Sequence, residues 1–293
     1  MDIEFVTDLL MQKFLSQIDP QRGGGFIEIG LGSGNFSFTW AQPLGFECYA
    51  VEPLPTGALK EQVLKHQVVL TEAAITDISG EVQIYIGSLN GSTLSDISSL
   101  HADWWGGGME EKTVTSLTIK DYVAQKKIQE ISSLKIDTEG AELSVISGLK
   151  ALEPWQLPQL IAFEYGGGGS RKNKEGGWLP KFFENTLDCL KTLKCLGYET
   201  AIVIEQKANQ ILPYDLVSIR DMEDIFSPHA EVGNIICTRN GLTSDFVSRQ
   251  INSLRFRVLA NATANQISKV VHIVRYYIKR YYNGILRRLV RQS

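Results

Sequence analysis

A cluster of glycines follows a short apolar run near the start of the chain. The stretch FIEIGLGSGNF, residues 26–36, carries Gly30, Gly32 and Gly34 within five positions. Glycine permits backbone angles closed to other residues and lets a ligand approach the main chain closely. The G-x-G-x-G spacing differs from the G-x-G-x-x-G of dinucleotide enzymes, and no Lys-Ser or Lys-Thr pair follows, which excludes a P-loop. The turn therefore predicts a ligand without phosphates, such as the amino-acid end of S-adenosylmethionine.

Two acidic residues accompany this turn. Glu28 lies inside the apolar run, where an unpaired carboxylate is costly to bury. Its partner is predicted to be the ammonium group of the ligand, and the alternative is the backbone donors of the glycine turn. Glu52 precedes Pro53 at the end of the next apolar run, 22 residues after Gly30. An acidic residue at this point accepts hydrogen bonds from ribose hydroxyls, and the alternative is a surface carboxylate.

A second acidic group lies in LKIDTEGAELSVISGL, residues 134–149. Asp137 ends a predicted strand and is expected to project over the cofactor. Glu164, in QLIAFEYG, ends the neighbouring predicted strand in the same way. Two carboxylates on one rim can deprotonate a hydroxyl or hold a divalent metal. Glu139 and Glu142 begin the next helix, where the helix dipole favours acidic residues without any further role.

Two glycine-rich segments, residues 104–111 and 165–178, are predicted to be loops at the carboxyl side of the sheet, where ligands bind. His101 is a rival to the carboxylates as a base, and the alternative is a solvated loop histidine. Three tryptophans lie in or beside these loops: Trp104, Trp105 and Trp178. Their rings are expected either to stack on the sugar rings of a ligand or to pack the loops onto the body of the domain.

These candidates require a sheet whose strands alternate with helices. Apolar runs at FIEIG, ECYAVEP and QVVLTEAAIT are separated by stretches of helical length, which predicts α/β architecture with a doubly wound, mostly parallel sheet. In EVQIYIG, apolar and polar residues alternate more strictly, so this run is predicted to be an antiparallel strand outside the parallel pattern. The predicted organisation is an N-terminal helix over 1–23, one domain over 24–240 and a helical extension over 241–293.

Composition narrows the class of protein. The 293 residues are 43% hydrophobic and 21% charged, which suits a globular chain with a sizeable core. Four cysteines lack metal-site spacing and are expected to be free thiols in a reducing compartment. The amphipathic N-terminus is unlike a signal peptide, and no run is long enough to span a membrane. We therefore expect a cytoplasmic protein.

The C-terminal segment is strongly basic. From Phe246 onward there are ten Lys or Arg and no Asp or Glu, which leaves the remainder with 19 basic and 33 acidic residues. Apolar residues recur at helical spacing in this segment: Ile267, Val270, Val274, Ile278, Tyr281, Ile285 and Leu289. The helix packs on its own acidic body or on a second subunit, or it lies on the inner, anionic face of a membrane. Nucleic acid is not expected, since the acidic body would repel a phosphate backbone.

These motifs together resemble the FkbM family of S-adenosylmethionine-dependent methyltransferases. Members carry a glycine turn, an E-P pair, a K-I-D-x-E-G-x-E element and a strand ending in Glu. This chain has IEIGLGSGNFS, VEP, KIDTEGAE and AFEY at those points, and TVTSLTIKDYV and NGSTL are similar to further family segments. The resemblance covers roughly residues 24–240. It implies a Rossmann-like class I methyltransferase fold and O-methyl transfer to a hydroxyl of a sugar, glycan or natural product.

These candidates and the resemblance together predict the site residues. Asp137, near the cofactor, and Glu164, facing the acceptor, are expected to be catalytic. The predicted cofactor-binding set is Glu28, Gly30, Gly32, Gly34, Asn35, Ser37, Glu52, Ala74 and Asp137. Members usually carry D-x-G-A-N-x-G at the glycine turn, whereas this chain has Glu28, Leu31 and Gly32, so shifted cofactor contacts are expected.

Two other functions fit parts of the pattern. A non-catalytic binding module would explain the altered glycine motif, but it gives no reason to keep carboxylates at three strand ends. A nicotinamide-dependent oxidoreductase is disfavoured by the glycine spacing. S-Adenosylmethionine is thus the expected cofactor. Whether the carboxylates at the strand ends hold a divalent metal stays open. The acceptor is expected to be a small molecule or glycan.

Overall fold

The predicted alternation of helices and strands is present in the computed structural model, which describes residues 2–32, 36–89, 92–106, 108, 110–239, 242–243 and 245–254. Asp2 caps the first helix by accepting a hydrogen bond from the Phe5 N–H, and Thr56 and Thr118 cap two later helices in the same way. Helices in the described part of the chain include α1 (Ile3–Ile18), α2 (Phe38–Ala41), α3 (Gly57–Lys65), α4 (Ile119–Lys126), α5 (Glu142–Gly148) and α6 (Pro180–Cys195), and residues 245–254 are also helical.

The strands form one large sheet and two small ones. The large sheet contains β1 (Gly25–Ile29), β2 (Glu47–Val51), β3 (Val69–Thr71), β9 (Ile131–Ile136), β10 (Leu160–Gly166), β11 (Thr200–Glu205), β12 (Gln210–Asp215) and β13 (Val232–Thr238). The small sheets contain β4 (Ala74–Thr76), β5 (Gly80–Tyr85), β6 (Ser88–Leu89), β7 (Ser92–Thr93) and β8 (Glu111–Thr118).

The order in the large sheet is β12-β11-β13-β10-β9-β1-β2-β3. The pairings from β10 through β9, β1 and β2 to β3 are all parallel. β13 is antiparallel to both β10 and β11, so β11 runs in the same direction as the central strands. The chain moves outward from β1 to β3 on one side and from β9 to β10 on the other. The switch point, where ligands bind in such sheets, therefore lies between β1 and β9.

Helices cover both faces of this sheet. On one face, Ile27 and Ile29 of β1 join a buried cluster with Val145 of α5 and Leu190 of α6. On the other face, Phe26 meets Trp40 of α2 edge to face, and α1 contacts β9, β10, β11 and β13. Strands buried on both faces explain the continuous apolar runs in the sequence. The predicted doubly wound, mostly parallel α/β fold is confirmed.

The three-stranded sheet β4-β8-β5 departs from the simplest sequence reading. The run QVVLTEAAIT, which reads as one strand, forms β3 in the large sheet and then β4, which pairs with β8. β5 is antiparallel to β8, as predicted for EVQIYIG. This small sheet brings the segment after β4 over the carboxyl end of the large one, where Ile84 and Ala74 pack together.

The chain divides into two units, Met1–Val247 and Ser248–Ser293. Helix α1 belongs to the first unit. The second is described over residues 248–254, which are helical, and the predicted amphipathic positions from 267 to 289 lie outside the described residues. No helix in the described part of the chain is long and apolar enough to cross a membrane.

Candidate active site

The glycine turn brings β1 into close contact with β9. Gly30 has a positive φ of 76°, and its N–H donates to the Val51 carbonyl at 2.9 Å. A Cβ atom at this position would lie 1.8 Å from the carbonyl oxygen of Asp137. Gly32 also has a positive φ, of 51°. The backbone freedom at Gly30 thus serves the close approach of two neighbouring strand ends.

Glu52 holds this turn in place from the end of β2. One carboxylate oxygen accepts hydrogen bonds from the N–H groups of Leu31, at 2.8 Å, and Gly32, at 3.3 Å. The other accepts from the Leu54 N–H at 2.9 Å. The side chain is buried and is not the surface carboxylate of the alternative interpretation. Its predicted ribose contact would use the acceptor capacity that remains.

Glu28 is buried between backbone donors and a lysine. Its carboxylate accepts hydrogen bonds from the Ser37 N–H at 3.1 Å and the Phe38 N–H at 3.3 Å. Lys135, its neighbour across the β1–β9 pair, lies 3.5 Å away. Burial raises the pKa of Glu28, although the charge of Lys135 opposes the shift. Backbone N–H groups therefore satisfy the Glu28 carboxylate, as in the alternative interpretation. These N–H groups belong to residues just after the glycine turn and not to the turn itself.

Helix α1 supplies two more carboxylates to the same charge network. The Lys135 ammonium donates to Glu4 at 2.8 Å and to the Ser37 hydroxyl at 3.1 Å. That hydroxyl donates to Asp8 at 2.7 Å. Burial would raise the pKa of Glu4, but the charge of Lys135 and hydrogen bonds outweigh it and lower the pKa. Burial raises the pKa of Asp8. The Lys135 ammonium group is therefore the shared positive charge for several carboxylates.

A second acidic cluster lies at the ends of β9 and β10. One carboxylate oxygen from each of Asp137, Glu139 and Glu164 lies within 4.8 Å of the others. Burial raises the pKa of Asp137 to about 6, and the charge of Glu4 adds to this shift. Burial and the charge of Asp137 raise the pKa of Glu164 well above its usual range. The two carboxyls are hydrogen-bonded to each other, and this bond lowers the pKa of Asp137 and raises that of Glu164.

The turn after Asp137 is shaped by Glu142. Its carboxylate accepts hydrogen bonds from the Thr138 N–H at 3.0 Å, the Thr138 hydroxyl at 2.9 Å and the Gly140 N–H at 3.2 Å. Glu139 and Gly140 both have positive φ angles, 53° and 98°. A non-glycine residue in this region is uncommon and costs energy. The spacing K-I-D-x-E-G-x-E therefore encodes a tight turn in which Glu142 binds the main chain.

The loop after β7 fixes the position of Glu139 through two hydrogen bonds. The Trp104 indole N–H donates to the Glu139 carboxylate at 2.7 Å, and the Ser99 hydroxyl donates to the Glu139 carbonyl at 2.6 Å. Burial and the charge of Asp137 nevertheless raise the pKa of Glu139 well above its usual range. Trp104 packs edge to face on Phe182. This tryptophan therefore packs the loop onto the body and orients an acidic side chain.

The other ring candidates pack against aromatic side chains. Trp178 is buried against Tyr165 and Phe226. His101 is half-buried and meets Phe182 edge to face at 5.5 Å. Burial, followed by the charge of Lys181, lowers the pKa of this histidine. His101 is not among the residues that line the cavities below.

Two adjoining cavities open at the switch point. The smaller, of about 50 Å³, is mainly apolar and carries Glu52 on its wall. The larger, of about 290 Å³, is lined mostly by charged residues and glycines. Residues lining both cavities are Gly30, Gly32, Asp96, Asp137 and Glu139. A third space of about 10 Å³, enough for one water molecule, lies beside Glu164, Trp104 and Asn185.

The structure brings most of the predicted site residues together. Gly30, Gly32 and Asp137 line both main cavities, Glu52 and Ala74 line the smaller one, and Glu28 lines the larger one. Ser37 is buried behind Glu28, and Glu164 lines the third space. Gly34 and Asn35 lie outside the described residues.

Sequence reasoning missed several residues that line these cavities. Glu139 and Lys135 belong to the K-I-D-x-E-G-x-E motif, so the motif itself could have indicated them. Asp96 and Glu4 carry no such signal, because only the fold brings their segments to the switch point.

Comparison with known proteins agrees with this geometry. A family model described as the methyltransferase FkbM domain matches residues 28–200, more than half of the chain. The chain belongs to the FkbM methyltransferase family. Methyl transfer is therefore its general reaction, and the large sheet has the Rossmann-like class I arrangement. The matched region of this FkbM chain begins at Glu28, so helix α1 lies before it.

Solved structures similar to this FkbM chain include two methyltransferase domains. The methyltransferase domain of bacterial CtHen1-C is 10% identical, with a TM-score of 0.38, and the alignment covers 79% of this chain and 97% of that one. The domain of bacterial CtHen1-CN is 12% identical, with a TM-score of 0.36, and the shares covered are 78% and 99%. No curated protein matches the chain.

Proposed function

We propose that this FkbM methyltransferase transfers a methyl group from S-adenosylmethionine to a hydroxyl of a sugar, glycan or natural product. The observation that carries the proposal is the position of Asp137. It lines both cavities at the switch point, and Glu164 is hydrogen-bonded to it. A carboxylate with a raised pKa, placed between two binding cavities, suits proton removal from an acceptor.

The chemistry of the two cavities suits the two ends of the cofactor. The smaller cavity has apolar walls, including Ala74 and Ile84, for a nucleoside base, and Glu52 would accept hydrogen bonds from ribose hydroxyls. The larger cavity is lined mostly by carboxylates, among them Glu4 and Glu28, and these suit the ammonium group of the amino-acid end. The shared residues Asp137 and Glu139 would hold the positively charged sulfonium.

When bound, S-adenosylmethionine supplies an activated methyl group on a neutral leaving group. The chain's own task is then to align the acceptor and to remove its proton. Asp137, ionised above about pH 6, takes the proton. The Glu164 carboxyl is hydrogen-bonded to Asp137, which fixes the orientation of the base. Trp104 holds Glu139, in the same turn, by donating a hydrogen bond to its carboxylate.

The same residues disfavour a nicotinamide cofactor. Among the described residues that line the two main cavities, Lys135 is the one cation, and it already pairs with Glu4. A pyrophosphate would meet Asp96, Asp137 and Glu139 at the junction, where like charges repel. A sulfonium nucleoside suits this charge balance.

Calorimetry with three ligands tests the proposal. We expect S-adenosylmethionine and S-adenosylhomocysteine to bind and NAD to give no heat. Glu52→Gln should weaken both active ligands about tenfold, because a hydrogen bond to a charged group contributes about 1.5–3 kcal/mol. Binding of NAD alone would favour an oxidoreductase, and binding of none of the three would favour a module that has lost the chemistry. Methyl transfer to amines but not to hydroxyls would overturn the acceptor class.

A further inference from the structure

Helix α1 precedes the region matched by the family model, yet it forms part of the larger cavity wall. Glu4, in its first turn, lines this cavity together with Lys135 and Asp137. Its carboxylate is fixed by two partners, the Lys135 ammonium at 2.8 Å and the Asn234 side-chain amide at 2.6 Å. These two hydrogen bonds therefore fix the position of the Glu4 carboxylate.

The cavity wall carries more negative than positive charge. Its carboxylates are Glu4, Glu28, Asp96, Asp137 and Glu139. Lys135 is the one cation among its described lining residues, and it is shared between Glu4 and Glu28. The charge of Glu4 also reaches Asp137, because it contributes to raising the pKa of that carboxyl. Such a cavity favours a cation over a neutral molecule of the same shape.

We propose that Glu4 is a specificity-determining residue that makes the cavity favour the positively charged methyl donor over its neutral thioether product. This inference rests on the proposed function. S-Adenosylmethionine and S-adenosylhomocysteine share the amino-acid end and the nucleoside, and they differ in the methyl group and the charge on sulfur. A fixed carboxylate near the shared residues Asp137 and Glu139 acts on that difference, whereas contacts to the common parts act equally on both ligands. Preference for the donor would also limit inhibition by accumulated product.

The test is the ratio of the two dissociation constants, measured by calorimetry on the full chain. Wild type should bind S-adenosylmethionine more tightly than S-adenosylhomocysteine. Glu4→Gln keeps the side-chain size and removes the charge, and it should reduce this preference by ~3- to 10-fold. Glu4→Asp keeps the charge and should retain most of the preference. Glu223→Gln removes a carboxylate from an ion pair with Arg171, outside both cavities, and should leave the ratio within about twofold of wild type.

The outcomes separate the two proposals. An unchanged ratio in folded Glu4→Gln, checked by circular dichroism, would overturn the role of Glu4 and leave the proposed function standing. Failure of wild type to bind either ligand would overturn the proposed function itself. If Glu4→Gln does not fold, the ratio is measured in Glu4→Ser, whose smaller side chain leaves room for water around Lys135. A reduced preference for S-adenosylmethionine supports the role of Glu4, and an unchanged preference overturns it.

Discussion

The main chain of Gly30 packs directly against that of Asp137. A Cβ atom on Gly30 would lie 1.8 Å from the Asp137 carbonyl oxygen, and the Asp137 N–H donates to the Ile29 carbonyl at 2.9 Å. The glycine turn and the acidic motif are therefore one structural unit at the switch point, although more than a hundred residues separate them. The cavities on either side depend on this contact.

Gly30→Ala is expected to damage the site. The added methyl group must displace the Asp137 backbone, and the positive φ is unfavourable for alanine, which together cost roughly 2–4 kcal/mol. Gly57→Ala is the matched control, since no atom lies within 4 Å of a Cβ there and φ is not positive. Chemical denaturation compares the free energies of unfolding. Equal stability of Gly30→Ala and wild type would show that the strand ends are not in contact.

Replacement of either member of the carboxyl pair should remove activity while S-adenosylhomocysteine, which lacks the sulfonium charge, still binds. Asp137→Asn removes the base, and Glu164→Gln removes the carboxyl that is hydrogen-bonded to it. Loss of proton transfer corresponds to about 10²–10⁴-fold in turnover. Asp188→Asn, which breaks an exposed pair with Lys191, should be neutral. Initial rates and calorimetry are measured on the same samples. Undiminished turnover in both site variants would remove the proposed roles.

Activity should fall in acid because Asp137 must be ionised to accept a proton. Its pKa of about 6 predicts that turnover declines about tenfold per pH unit below that value. Glu4→Gln should move this limb to lower pH, since the charge of Glu4 helps to raise the pKa of Asp137. Rate–pH profiles of both proteins provide the measurement. Profiles that stay flat down to pH 4 would show that no such carboxylate is needed.

The same carboxyl should make stability depend on pH. Asp137 has a pKa of about 6 in the folded chain and an ordinary value of 3.8, so the folded state binds the proton more tightly. Its contribution to stability is complete below about pH 4 and is lost as pH rises through 6. Asp137→Asn should therefore gain melting temperature relative to wild type across that window. If the difference in melting temperature between Asp137→Asn and wild type stays constant from pH 4 to 7, the raised pKa of Asp137 is contradicted.

Two buried tryptophans should respond differently to loss of the indole N–H. In Trp104→Phe, Glu139 loses a donor, so the pKa of Glu139 should rise further and cofactor binding should weaken about tenfold. In Trp178→Phe, the lost bond is to the Glu231 carbonyl, and a loss of about 1 kcal/mol of stability is expected with binding unchanged. Calorimetry and denaturation separate these effects. Equal cofactor affinities in the two variants would argue against a role for Trp104 in orienting Glu139.

Features set by local sequence were predictable. Apolar runs on both faces indicated parallel strands, and the ends of those strands placed Glu52, Asp137 and Glu164 at one edge of the sheet. The need for glycine at position 30 also followed from the sequence, although its cause is a neighbouring strand in addition to any ligand. These predictions succeeded because strand direction and burial are encoded in short windows.

Features set by long-range packing were not predictable from patterns. Glu4 and Lys135 are 131 residues apart, and their ion pair exists because α1 packs across the sheet. The split of QVVLTEAAIT between two sheets depends on pairing with β8, which comes later in the chain. The helix dipole gave an adequate local account of Glu139, and only its position between Asp137 and Trp104 shows that it faces the cavities.

We propose that Gly30 and Asp137 lie between the two halves of one cofactor site, and a crystal structure with S-adenosylhomocysteine is the decisive experiment. We expect ribose hydroxyls on Glu52, sulfur beside Asp137 and Glu139, and the amino-acid end near Lys135. A nucleoside bound elsewhere on the chain, or one lying across the switch point with Asp137 turned away from it, would show that these residues do not form the cofactor site.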